Sequence, residues 1–174
     1  MQHFLEQTFN DKRRIIVKDS IKKIIKQTLE YIDMDSEAAR EMIYKTGKAE
    51  SGYKTLKQYG DGPALGFFQM EPATCKDILE NYVKYRPKYK ELLDSLGFQE
   101  DKMEYCLMSN IGFQVAMCRL HYRRVPSALP ESNDIEGQAK YWKNFYNSHL
   151  GKGTLEHFIK ANKEWWTLFI IGLF

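Results

Sequence analysis

The sequence predicts one mainly helical domain, and three observations predict it. Its 174 residues match a single domain of ordinary size, long enough to bury a core. Apolar residues recur at helical spacing near the N-terminus, at Ile15, Ile16, Ile21, Ile24, Ile25, Leu29 and Ile32. Proline and glycine then divide the rest into helix-length segments, with no linker, repeat or low-complexity tract between them.

The first element is an amphipathic helix within 11–33. Its opposite face carries Lys12, Arg13, Arg14, Lys18, Lys22, Lys23 and Lys26, a solvated face or a surface for an anionic polymer. Asp35-Ser36 reads as the next helix start, with Glu37 favourable to the dipole in its first turn. That helix runs through Ala38, Ala39, Met42 and Ile43 toward Gly47. Between Gly52 and Gly66, the run Gly60-Asp61-Gly62-Pro63 makes a loop or a short hairpin. Helices follow over 72–85, 87–95 and 101–124. Pro72 and Pro87 stand near their starts, where a missing N–H costs nothing. Residues 125–133, with Pro126 and Pro130, form a loop. Helices over 134–147 and 154–163 are separated by Gly151-Lys152-Gly153. The expected layout is therefore a single domain over 1–174: the helix of 11–33, a core over 35–163, and an apolar segment over 164–174. That last stretch, Trp165 to Phe174, is too short to span a bilayer. It is expected to be buried rather than to serve as a wall, membrane or partner contact.

Composition narrows the function classes. The charged fraction of 28% does not suggest disorder, and a net charge of +3 is too mild to indicate nucleic-acid binding. Cys75, Cys106 and Cys118 are scattered and odd in number, so they are expected as free, buried, apolar residues. His3, His121, His149 and His157 show no ligand spacing, so neither a metal nor another cofactor is expected. The opening residues MQHFLEQTFNDKRR lack the apolar run of a signal peptide.

The chemistry concentrates in two stretches. One is Ala49-Glu50-Ser51-Gly52 followed by Ala64-Leu65-Gly66-Phe67-Phe68-Gln69-Met70-Glu71-Pro72-Ala73-Thr74, with Gln69 19 residues after Glu50. The other is Tyr141-Trp142-Lys143-Asn144-Phe145-Tyr146-Asn147 ahead of Gly151-Lys152-Gly153. A carboxylic acid that is to give up a proton in a reaction must stay protonated near neutral pH. Burial beside apolar side chains raises a Glu pKa in that direction. A Glu where a helix gives way to a loop is held by the helix while its side chain projects. Phe67, Phe68, Tyr141 and Tyr146 can supply a wall of low polarity. Gly66 suits a positive φ or a close backbone approach. Gln69 offers an amide donor and a carbonyl acceptor, for substrate or for its own loop.

A Glu-Ser pair ending a helix, a Gly-rich loop, then Gly-apolar-apolar-Gln-apolar-x-Pro-Ala-Thr resembles the soluble lytic transglycosylase family. Tyr146-Asn147 is similar to that family's later Tyr-Asn pair, although Ser148-His149-Leu150 separates it from Gly151. The likeness spans roughly residues 35 to 160. It implies a lysozyme-like fold, all α or α+β with a small hairpin, holding a substrate cleft. It implies Glu50 as catalytic acid and Ser51, Gly66, Phe67, Phe68, Gln69, Met70, Tyr146 and Asn147 as substrate-side residues. The implied substrate is the glycan strand of peptidoglycan, cleaved at the MurNAc-GlcNAc β-1,4 bond with one carboxylate and closed to a 1,6-anhydro ring. A hydrolytic muramidase would need a second carboxylate. Asp61 and Glu71 are the candidates, although Asp61 suits its turn and Glu71 suits a helix start. A lysozyme-like structural protein without turnover is a further alternative. The setting expected is a bacteriophage one, in the virion with other virion proteins as partners, or released to the periplasm or wall at infection or lysis. The alternatives are a bacterial enzyme whose leader was removed and one exported by a dedicated secretion system.

Overall fold

The computed structural model describes residues 18–60, 62–147 and 153–163. Residues 11–17 of the first expected helix, Asp61, residues 148–152 and the apolar segment 164–174 lie outside them. The described residues form eight helices and no strand, the mainly helical class expected from the sequence.

Helix α1 covers residues 18–31 and buries Ile21, Ile25, Thr28 and Leu29. These positions lie three or four apart, so one stripe faces inward. Removing the Leu29 side chain, which is fully buried, would cost about 2–5 kcal/mol. The basic face is partly paired: Lys22 lies 2.9 Å from Glu41 and Lys26 lies 3.6 Å from Glu30.

Helix α2, Glu37–Glu50, starts where Ser36 Oγ accepts the Ala39 N–H at 3.1 Å. Helices α3, Pro72–Asn81, and α4, Pro87–Ser95, each take a proline in the first turn. The expected helix over 72–85 ends early. After Asn81 comes a single 3₁₀ turn, Val83–Tyr85. Arg86 then leaves the helical region, with φ −139 and ψ 80, since the proline after it disfavours a helical backbone there. The expected helix over 101–124 is three pieces: a 3₁₀ turn Glu100–Lys102, α5 Met103–Ser109 and α6 Ile111–Arg123. Asn110 divides the last two. Its Nδ2 donates to the Leu96 carbonyl at 2.7 Å and its Oδ1 caps the Phe113 N–H at 2.9 Å. Those bonds satisfy an extended residue in mid-run. Helix α7, Ile135–Trp142, is capped by Asp134, and α8, Leu155–Asn162, by Thr154. The expected stretch 134–147 changes at Lys143 into a π-turn, Lys143–Asn147.

Helix α6 buries Phe113, Val115, Ala116, Met117, Cys118, Leu120 and Tyr122. With eight of its thirteen residues buried, α6 stands at the centre; α2, α3, α5 and the π-turn pack against it. Helix α8 lies along α2 and α7. All three cysteines are free and buried. Among the described residues no helix is long and apolar enough to cross a membrane.

The segment between α2 and α3 folds back on itself. Antiparallel bridges join Lys57 to Leu65 and Leu65 to Met70 without building a named strand. The Gly66 N–H donates to the Leu56 carbonyl at 2.8 Å. The result is a doubled loop held against the ends of α2 and α6.

Candidate active site

Glu50 is the last residue of α2. The helix stops there because Gly52 takes φ +60, and its N–H closes onto the Gly47 and Lys48 carbonyls, both at 3.1 Å. Helix α8 secures the same end: His157 Nε2 donates to the Ala49 carbonyl at 2.8 Å, and Asn162 Nδ2 donates to the Lys45 carbonyl at 3.1 Å. Tyr53 adds a third restraint. Its ring lies where a side chain on Gly47 would stand, and its hydroxyl donates to the Tyr44 carbonyl at 2.9 Å. A glycine inside α2 therefore has a packing reason.

The Glu50 carboxyl points inward. Its Oε1 accepts the Trp142 indole N–H at 2.8 Å, and Trp142 is fully buried. Burial raises the Glu50 pKa from 4.5 to about 7, against the opposing pull of the Trp142 hydrogen bond. Burial chiefly, and the negative charge of an ionised Glu50 besides, raise the pKa values of Cys118, Tyr122 and Tyr146, which places these groups around it. Trp142 is in turn wedged by the Phe158 and His157 rings, at 5.3 and 6.3 Å between centroids, and by Gly153 at its edge.

The loop of the sequence motif is tied to this acid. Ser51 Oγ donates to the Phe67 carbonyl at 2.7 Å and also receives the Tyr53 N–H at 3.1 Å. The Phe67 N–H donates to Gln114 Oε1 of α6 at 2.8 Å. Gly66 has φ +73, and a Cβ there would collide with the Leu107 carbonyl and lie 2.7 Å from the Gln114 amide. Gly66 thus has a positive φ, and its close approach is to α5 and α6 of the protein itself. Gln69 also has a positive φ, +46, and its Nε2 donates to the Gly66 carbonyl at 2.7 Å. Its amide pins its own loop. Phe68 and Met70 are buried, and Phe67 is half-buried.

No family model, no curated protein and no solved structure matches this chain. What the site can do rests on its own geometry.

The structure brings Glu50, Ser51, Phe67, Phe68 and Tyr146 together. Tyr146 reaches across from the π-turn, its hydroxyl donating to the Phe68 carbonyl at 2.8 Å. Tyr141 turns elsewhere and donates to the Ser127 carbonyl at 2.9 Å. Asn147 accepts from Lys143 within its own turn at 3.0 Å. Glu71 is exposed just ahead of α3 and makes no side-chain cap. Sequence reasoning gave no role to Trp142, Gln114, Tyr53 or Tyr122, and read Cys118 only as a buried apolar residue. Trp142 sat in a stretch already marked by its aromatic density, the one signal available for it. A depression of about 310 Å³ lies elsewhere, between α1 and α2, lined by Lys22, Lys23, Ile25, Lys26, Arg40 and Glu41. It holds none of the Glu50 constellation. Carboxyl chemistry, not cavity size, singles out the site.

Proposed function

We propose that this chain is a peptidoglycan-cleaving lytic transglycosylase with Glu50 as its single acid and base. The observation that carries the reading is one carboxyl, at the end of α2, whose burial lifts its pKa to about 7. A glycosidase acid must hold its proton near neutral pH and still be able to give it up, and a pKa there meets both needs. The motif loop supports the same reading, because Ser51 and Tyr146 fasten it to the acid through the Phe67 and Phe68 carbonyls.

The proposal includes a lysozyme-like arrangement in which a glycan strand passes Glu50 in a cleft. Oε1 already accepts the Trp142 N–H, so the acidic proton belongs on Oε2. Oε2 then faces the bond between MurNAc and GlcNAc and protonates the leaving oxygen. The substrate's own N-acetyl carbonyl stabilises the cationic centre at C1. Glu50, now a carboxylate, takes the proton of the C6 hydroxyl, and that oxygen closes onto C1. The products are a GlcNAc end and a 1,6-anhydro-MurNAc end, with no water consumed.

Glu50→Gln tests the assignment of the acid. The amide keeps the shape and the acceptor for Trp142 but has no acidic proton. Turnover of purified sacculi should fall by at least about a thousandfold with the fold intact. Substantial residual turnover in a folded variant would remove Glu50 from the role.

A further inference from the structure

The π-turn Lys143–Asn147 directly follows Trp142 and carries Tyr146. Such turns are rare and gather at functional sites. The Phe145 carbonyl of this turn accepts a hydrogen bond from His121 Nε2 of α6, at 2.8 Å. A carbonyl oxygen only accepts, so Nε2 carries a proton. Nδ1 of the same ring lies 3.1 Å from Arg124 Nη2. A guanidinium only donates, so Nδ1 accepts and carries none. The two contacts together fix one tautomer of a neutral ring. Burial and the neighbouring Arg124 charge push the His121 pKa down to about 4, which agrees with that state. Arg124 is anchored by an ion pair with Asp77 of α3. The imidazole also stands edge-on to Tyr146, 5.0 Å between centroids at 77°.

We propose that His121 is a positioning residue for the candidate acid. As a neutral Nε2–H imidazole it holds the Phe145 carbonyl, and so the π-turn that sets Tyr146, and Trp142 just before it, around Glu50. The chain of contacts runs from Asp77 through Arg124 and His121 to Phe145. Tyr146 then continues it to the Phe68 carbonyl of the motif loop. The catalytic part of this inference rests on the glycosidase reading; the tautomer and the shielding of Glu50 do not.

Nitrogen NMR of the His121 ring in the unmodified protein at neutral pH tests the tautomer. A neutral ring with the proton on Nε2 is expected; a proton on Nδ1, or on both nitrogens, would overturn the proposal. A pair of variants tests the positioning. His121→Leu removes the donor, whereas His121→Gln supplies an amide N–H for Phe145 and a carbonyl oxygen for Arg124. Carbon NMR of the Glu50 carboxyl should show the leucine variant titrating well below about 7, toward 4.5, as water reaches the group. The glutamine variant should restore the higher value. Cleavage of sacculi should lose about tenfold or more in kcat in the leucine variant, with KM little changed, and recover in the glutamine variant. A folded leucine variant with unaltered Glu50 titration and an unaltered Trp142 indole signal would overturn the proposal. A shifted titration alongside no cleavage by any of the proteins, the unmodified one included, would keep His121 in its role and reject the glycosidase reading. Should the leucine variant not fold, the glutamine variant decides. A Glu50 pKa kept near about 7 supports the proposal, and one fallen toward 4.5 overturns it.

Discussion

Glu50→Gln has a consequence for stability that needs no substrate. The Glu50 pKa rises from 4.5 to about 7 on folding, chiefly because burial disfavours the anion. The folded chain therefore holds that proton more tightly than the unfolded chain. The sign follows: the stabilisation is fully present below about pH 4.5 and is lost as pH rises through about 7. At about 1.36 kcal/mol for each pH unit between the two values, the loss is roughly 3 kcal/mol. Glutamine is uncharged throughout and offers Trp142 the same acceptor, so it escapes the loss. The two proteins should be nearly equally stable near about pH 4, and the variant more stable by up to roughly 3 kcal/mol near about pH 8. For a domain of this size that is a rise in Tm of about 6–12 °C. Urea unfolding, or calorimetry, across that range measures it. A difference that stays flat with pH, or a variant that is the weaker protein at alkaline pH, would refute a half-buried Glu50 that retains its proton.

Trp142→Phe removes the hydrogen bond that holds the Glu50 pKa down. The Glu50 pKa should move above about 7, taking the alkaline limb of any activity profile with it, at a stability cost of about 1–3 kcal/mol. A downward shift in the carboxyl's NMR titration would contradict the geometry. Gly66→Ala combines a positive φ with a collision against the Leu107 carbonyl, and should cost about 2–4 kcal/mol in denaturant unfolding. Gly60→Ala shares the positive φ but meets open space, so its cost should stay near about 1 kcal/mol. Equal costs at the two sites would show that the loop is not packed against α5 and α6 as described.

The helices were legible wherever their signals are local. Ser36, Asp134 and Thr154 each cap the helix they were expected to start, or stand beside its start, and Pro72 and Pro87 open theirs. Local periodicity carries no mark of a break that depends on a distant partner. Asn110 interrupts 101–124 because Leu96 offers it a carbonyl across a turn. Lys143 begins a π-turn inside a segment that reads as continuous helix. The site divides along the same line. Glu50 at a helix end and Gly66 in a tight loop follow from neighbours in sequence. Trp142 as the partner of Glu50 does not, being 92 positions further along the chain. Nor does Gln114 as the brace of Phe67, 47 residues away. Such pairings are made by packing around α6, which no short motif encodes.

Mass spectrometry of the muropeptides released from purified peptidoglycan, with Glu50→Gln alongside, tests the central claim most directly. Fragments ending in 1,6-anhydro-MurNAc, lighter by one water than hydrolysed ones, should come from the unmodified protein and not from the variant. Reducing-end products would contradict the single-carboxylate mechanism and turn attention to Asp61 and Glu71. The absence of any product from a folded, unmodified protein would contradict the enzyme reading itself.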